Sequence, residues 1–148
     1  LMPCNTFGPN DNYNYETSHF LPALIRKIYE AKKFNKKNFI LWGTGKPLRE
    51  VIFVDDIADA CVYFLQKKVK HHLINIGTDT EMSIKSYAIK IKKILKYEGK
   101  IIFDKSKPDG TFRKKQDLSL SKKYGWKANF SLNEGLKITI ADFKKRFD

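Results

Sequence analysis

The chain has 148 residues, 42% of them hydrophobic and 14% aromatic, with 29 Lys and Arg against 16 Asp and Glu and a formal net charge of +13. That length and composition fit one ordinary globular domain with a sizeable core and exclude a disordered chain. No apolar run reaches the roughly 20 residues that span a bilayer, and Cys4 and Cys61 lack the spacing of a disulfide framework or a zinc site. The expectation is no membrane, no metal and a reducing, cytoplasmic setting.

The stretch LMPCNTFGPNDNYNYETSHF does not read as a signal peptide, because no charged leader precedes an apolar core. It reads as a strand end followed by the turn Gly8-Pro9-Asn10-Asp11-Asn12 and a lone His19, which suits the middle of a fold better than its beginning. Leu21, Leu24, Ile25, Ile28 and Tyr29 then predict a helix over Leu21 to Lys33. Asn38 to Trp42 predicts a strand stopped by Gly43-Thr44-Gly45, and Glu50 to Val54 a second strand. Asp55 is expected to cap a helix whose buried face is Ile57, Ala58, Cys61, Phe64 and Leu65. Leu73 to Ile76 is strand-like and ends at Gly77.

The alternation continues. Ile84, Tyr87, Ala88, Ile91, Ile94 and Leu95 predict a helix over Ser83 to Tyr97, followed by a strand from Lys100 to Phe103 and an exposed loop Ser106 to Gly110. Ser131-Leu132-Asn133-Glu134 has the capping-box pattern, in which hydroxyl and carboxylate satisfy opposing backbone N–H groups at the start of a terminal helix. Strands alternating with helices indicate an α/β fold.

The positive charge raises the question of nucleic acid. Only Arg26, Arg49, Arg113 and Arg146 are arginines, and the lysines are scattered over several segments, many late in predicted helices where they complement the macrodipole. Solvated faces are the better reading, so no nucleic-acid partner is expected. A small dianionic ligand such as a pyrophosphate remains compatible with the charge.

MPCNTFGPNDNYNYETSHFLPALIRK, LWGTGKPLREVIFVDDIADA and KPDGTFRKKQDLS resemble, in order and spacing, the C-terminal half of the GDP-L-fucose synthase family of extended short-chain dehydrogenase/reductases. The resemblance covers essentially the whole chain. It implies the end of a Rossmann domain, which is discontinuous in these enzymes, plus a smaller substrate-binding α/β domain. It also implies NADP(H) as cofactor, a GDP-sugar substrate, and a homodimer for the full-length protein. The glycine-rich dinucleotide turn, the catalytic Ser and the Tyr-x-x-x-Lys of the family lie upstream of the matching segment, so the sequence reads as a fragment, inactive alone. Tyr29-x-x-x-Lys33 and Tyr63-x-x-x-Lys67 match the last pattern literally, but i,i+4 spacing arises by chance in amphipathic helices.

By the resemblance His19 is the epimerisation acid and also a cofactor contact. A 4-keto group acidifies the hydrogens at C3 and C5 of the sugar, and inversion needs a base on one face and an acid on the other. An imidazole can supply that proton near neutrality; the alternative for His19 is a helix-entry residue bonded locally. Pro3, Cys4, Asn5 and Thr6 match the segment beside the nicotinamide, with Cys4 in a threonine position, and a strand end packing on its neighbours is the competing reading. Lys27, Trp42, Arg49, Asp109 and Lys114 match the substrate-binding residues, with Lys27 where the family has arginine. Their competing readings are a core tryptophan and surface charges. Other readings of the whole are another nucleotide-sugar epimerase or dehydratase on the same scaffold, a non-catalytic nucleotide-binding module, and a basic RNA-binding domain.

Overall fold

In the sequence LREVIFV, β-branched and aromatic residues crowd together without alternation, the pattern of a strand covered on both faces. The computed structural model, which describes residues 1–147, makes that strand the centre of the molecule. In chain order the elements are β1 (Met2–Pro3), β2 (Asn5–Phe7), α1 (Phe20–Lys33), β3 (Asn38–Trp42), β4 (Leu48–Phe53) and α2 (Val54–Leu65). There follow β5 (Asn75–Ile76), β6 (Glu81–Ser83), α3 (Ile84–Leu95), β7 (Lys100–Asp104), β8 (Arg113–Lys114), α4 (Ser119–Lys123) and α5 (Leu132–Phe147).

The C-terminal half of β4 pairs in parallel with β2, with Asn5 opposite Val51 and Phe7 opposite Phe53. Its N-terminal half has two other partners. Leu48 to Glu50 run antiparallel to β6, and Leu48 and Arg49 lie parallel to Arg113 and Lys114 of β8. The parallel pairs β1 with β5 and β3 with β7 complete the sheets.

One apolar cluster joins α1, α3 and α5 to β3 and to Phe7 and Phe53; a second gathers Ile52, Ala60, Phe64, Ile74, Ile76 and Trp126. The predicted helices at α1, α3 and α5 form. The expected stripe of α1 is buried, as are Tyr87, Ala88, Ile91 and Leu95 of α3, with Ile84 and Ile94 partly buried. Ser83 caps α3 by accepting from Ser86 N–H at 3.1 Å. The capping box forms too: Ser131 N–H donates to Glu134 at 3.0 Å and Glu134 N–H to Ser131 Oγ at 3.3 Å.

Helix α2 departs from expectation. It starts at Val54 with Phe53 in the N-cap position, so Asp55 lies in the first turn rather than capping. Its buried residues are Asp56, Ala60 and Phe64, with Ile57 partly buried, while Ala58, Cys61 and Leu65 are exposed. Asp56 turns inward because its carboxylate accepts backbone N–H groups of Asn129 at 2.7 Å and Phe130 at 3.3 Å, delivered by the segment before α5. A buried carboxylate with such donors is satisfied rather than stranded.

Candidate active site

His19 stands at the N-cap position of α1 with extended backbone angles; its carbonyl accepts Ala23 N–H at 3.1 Å, while its side chain makes no cap hydrogen bond. Its exposed side chain lines a cavity of about 580 Å³ together with Pro3, Cys4, Asn5, Thr6 and Lys114. All the residues expected at the cofactor therefore share one cavity, and Lys114 joins them. Lys115 and Gln116 complete it.

Three of these side chains hold the wall rather than face a ligand. Asn5 Nδ2 donates to Glu50 O at 2.8 Å, and Thr6 Oγ1 reaches back to Cys4 O at 3.4 Å. Gln116 Nε2 donates to Pro3 O at 3.0 Å, bolting the β8 segment to β1. Burial, and then the Glu50 carboxylate, push the Cys4 thiol up to about 12. A thiol so hard to ionise is no general base near neutrality.

The residue that organises this floor is Glu50, whose side chain is wholly buried. Its Oε1 accepts the N–H groups of Thr78 at 2.8 Å and Asp79 at 2.7 Å, and its Oε2 that of Gln116 at 3.2 Å. Sequence reasoning passed over Glu50. The available signal was a carboxylate leading directly into the apolar run Val51-Ile52-Phe53 of a strand covered on both faces, which has to be compensated.

A second cavity, of about 240 Å³, brings together Lys27, Trp42, Arg49 and Asp109, with Phe20, Pro47 and Pro108 in its lining. Four of the five expected substrate residues meet there. The turn Gly43-Thr44-Gly45 shapes it, and both glycines have left-handed backbone angles, φ +76° and +71°. Asp109 sits against Gly43 where a side chain would be, and accepts from Thr44 N–H at 2.8 Å and from Thr44 Oγ1 at 2.6 Å. Those bonds hold its carboxyl below the usual range and make it a clasp between two loops. Arg49 Nη1 donates to Leu48 O and to Thr111 O, each at 2.7 Å, leaving Nε and Nη2 of its fork for a ligand. Burial lowers the pKa of the Lys27 ammonium, which lies 4.9 Å from the centroid of the Trp42 ring.

The cavities adjoin. Arg49 and Lys114 are register partners on β4 and β8, one lining each, and His19 and Phe20 are neighbours in the chain, again one in each. The Tyr-x-x-x-Lys matches lie elsewhere. Tyr29 is buried with its ring 5.1 Å from that of Phe143, and the Tyr63 hydroxyl donates to Tyr124 O at 2.7 Å. His71 Nδ1 contacts the Tyr124 hydroxyl at 2.7 Å. No metal-ligand cluster occurs among the described residues, and no helix among them is long and apolar enough to cross a membrane.

Residues 1–77, which carry the first cavity's Pro3–Thr6 and His19 and most of the second, match the model of the NAD dependent epimerase/dehydratase family. The chain belongs to that family. Among family members with curated names, GDP-L-fucose synthase 1 of Arabidopsis thaliana is 46% identical over 93% of this chain and 43% of its own length. GDP-L-fucose synthase of Escherichia coli K12 is 37% identical over 100% of this chain and 49% of its own. The chain thus spans under half the length of these curated relatives. A solved GDP-L-fucose synthetase from Naegleria fowleri, bound to NADP, superposes with a TM-score of 0.91 at 29% identity, covering 99% of this chain and 46% of that one. The α/β architecture of the chain is therefore the Rossmann-type extended fold of the epimerase/dehydratase family.

Proposed function

We propose that this chain is the substrate-binding half of an NADP(H)-dependent epimerase-reductase that converts GDP-4-keto-6-deoxy-D-mannose to GDP-L-fucose. The observation that carries the reading is the sorting of the motif residues into two adjoining cavities, with His19 and Pro3–Thr6 in one and Lys27, Trp42, Arg49 and Asp109 in the other. A nucleoside diphosphate sugar bound across both would have its base and ribose against Trp42 and the Asp109 loop, its pyrophosphate between Arg49 and Lys114, and its keto sugar beside His19. Fixed cations at that middle position suit a dianion. In this reading β1, β2 and their partners are the chain's share of the Rossmann domain, and the remainder is the substrate domain.

The first cavity fits the nicotinamide end of the cofactor, since its wall is backbone at a strand end, fixed by Asn5, Gln116 and Glu50. The bound cofactor would supply the hydride for C4. His19 does the proton work: its side chain, free of cap bonding, would deliver a proton to the carbanion at the epimerised carbon from the face opposite the base. The base and the tyrosine that protonates O4 come, by the family pattern, from outside this sequence. The reading also carries a cytoplasmic homodimer, with GDP-sugar and not nucleic acid or membrane as partner.

The test uses the full-length gene product and the keto sugar in D₂O. The wild type should incorporate deuterium at C3 and C5 and oxidise NADPH. His19→Gln keeps a polar group but removes the titrating proton, and should slow exchange about 10²–10⁴-fold, the usual worth of a positioned acid. Hydride transfer that persists should then favour incompletely inverted sugar. Exchange at wild-type rates would reduce His19 to a helix-entry residue. A wild type inert toward this substrate would sink the functional reading.

A further inference from the structure

Strand β7 (KIIFD) is hydrogen-bonded along one edge only, to β3. Its two ends show which way its backbone faces. Lys100 N–H donates to Lys37 O and Asp104 O accepts from Gly43 N–H, each at 2.9 Å. With the parallel register that sets Ile102 beside Ile40, the backbone groups of Lys100, Ile102 and Asp104 turn toward β3. Those of Ile101 and Phe103 point the other way, and among the described residues nothing pairs with them. Such a row of free N–H and C=O groups is a template for another strand.

The side chains say which strand fits. Ile101 and Phe103 pack inward against the main core, while Lys100, Ile102 and Asp104 share the outer face, Ile102 with 44% of its surface exposed. Opposite charges thus stand at equal distances on either side of Ile102. A two-fold axis through Ile102 lays β7 antiparallel on its own copy. Ile101 then faces Phe103 of the second copy, and their outward groups exchange both bonds of a hydrogen-bonded pair on either side of the axis. Lys100 faces Asp104 of the second copy, a favourable cross-strand pair. The two Ile102 side chains meet on the axis in a pair without hydrogen bonds, where side chains come closest. Asp104 is prepared for a cation: Ser106 N–H and Oγ both bond its Oδ1 and hold the carboxyl below the usual range, leaving Oδ2 open. Lys100 is in no ion pair among the described residues. The other edge of the sheet lacks this symmetry, since the same operation on β3 sets Asn38 against Trp42.

We propose that β7 is a self-pairing edge, at which a second copy of this chain adds its own β7 antiparallel, with Lys100 of each copy on Asp104 of the other. The contact joins two marginal two-stranded pairs into one sheet. Being isologous, it consumes both β7 edges and closes at a pair of chains. It stands whatever the two cavities bind.

Cysteine cross-linking of the full-length protein tests it, because it reads this contact whatever other subunit contacts exist. Ile102→Cys puts two thiols on the axis, and mild oxidation should link the subunits through them. Ile40→Cys is the control, on the same face of the neighbouring strand with 55% of the Ile40 surface exposed. With strands about 4.8 Å apart, its two copies stand roughly 14 Å from each other, beyond the about 7 Å that a disulfide tolerates. Ile102→Cys should therefore cross-link at least about tenfold faster than Ile40→Cys or the wild type. Adding Lys100→Glu to Ile102→Cys sets like charges against each other on both sides of the axis and should slow the linkage about tenfold. Equal rates at positions 102 and 40 would mean chance collision and overturn the inference. So would an Ile102→Cys rate that Lys100→Glu leaves unmoved.

Discussion

Cys4 and Cys61 show how position within the fold sets side-chain chemistry. The Cys4 thiol, pushed up to about 12 by burial and by Glu50, is almost wholly protonated at pH 8, whereas Cys61 stands exposed on α2. Since the thiolate is the nucleophile, iodoacetamide at pH 8 should alkylate Cys61 in this chain long before Cys4. Peptide mass mapping over time checks this, and equal rates would contradict the raised pKa of the partly buried Cys4 thiol. Arg49 makes the second residue-scale case. Its Nη1 is committed to Leu48 O and Thr111 O while the rest of the fork stays available. Arg49→Lys keeps the charge but cannot do both, so GDP affinity in the full-length protein should fall by about 1–3 kcal/mol. Unchanged affinity would remove Arg49 from the site. The motifs singled out Arg49 and Asp109 as candidates, but not the backbone bond to Thr111 or the clasp on Thr44. Those partners lie over sixty residues away in the chain, and no local pattern encodes them.

At the scale of elements, Glu50 is the joint between β4, the turn after β5 and the segment after β8. Glu50→Gln preserves the shape but turns an amide N–H₂ toward at least one backbone N–H, leaving a buried donor unpaired. Urea denaturation should show a loss of about 1–3 kcal/mol; an unaltered midpoint would mean that the three N–H groups find other partners. Asp79 braces the same region through Lys115 at 2.8 Å and Lys122. Hydrogen bonds from both lysines, then their charges, lower its carboxyl from 3.8 to about 2. A depressed folded pKa means that this contribution is complete above about pH 4 and disappears as pH falls toward 2. In wild type and Asp79→Asn, thermal midpoints should differ at pH 6 and converge at pH 2, and salt should shrink the gap. Parallel curves across that range would show the brace to be idle. The long helices and β3, β4 and β7 were legible because their patterns run over whole turns or repeats. Strands β6 and β8 are too short to carry a pattern. In α2 the apolar pattern pointed to a face through Ala58, Cys61 and Leu65, but the helix buries Asp56, Ala60 and Phe64 instead. The cause lies more than seventy residues away, in the backbone N–H groups of Asn129 and Phe130 that bind Asp56.

For the whole molecule, a net charge of +13 on 148 residues opposes compaction at low ionic strength. Raising salt from about 10 to 150 mM shortens the Debye length from about 30 to 8 Å, so the melting temperature of this chain should rise over that interval. A fall would mean that surface ion pairs outweigh the repulsion.

The dependence of Glu50 on distant donors has a consequence for biosynthesis. Its last partner, the N–H of Gln116, lies 66 residues further along the chain. At about 5–20 residues per second, a ribosome takes several seconds to make that interval. During it the carboxylate lacks a complete set of donors, and the apolar run Val51-Ile52-Phe53 beside it cannot be finally buried. A nascent chain stalled within that window exposes a sticky, half-paired strand, the kind of segment that holdase chaperones bind and that unassisted chains aggregate through.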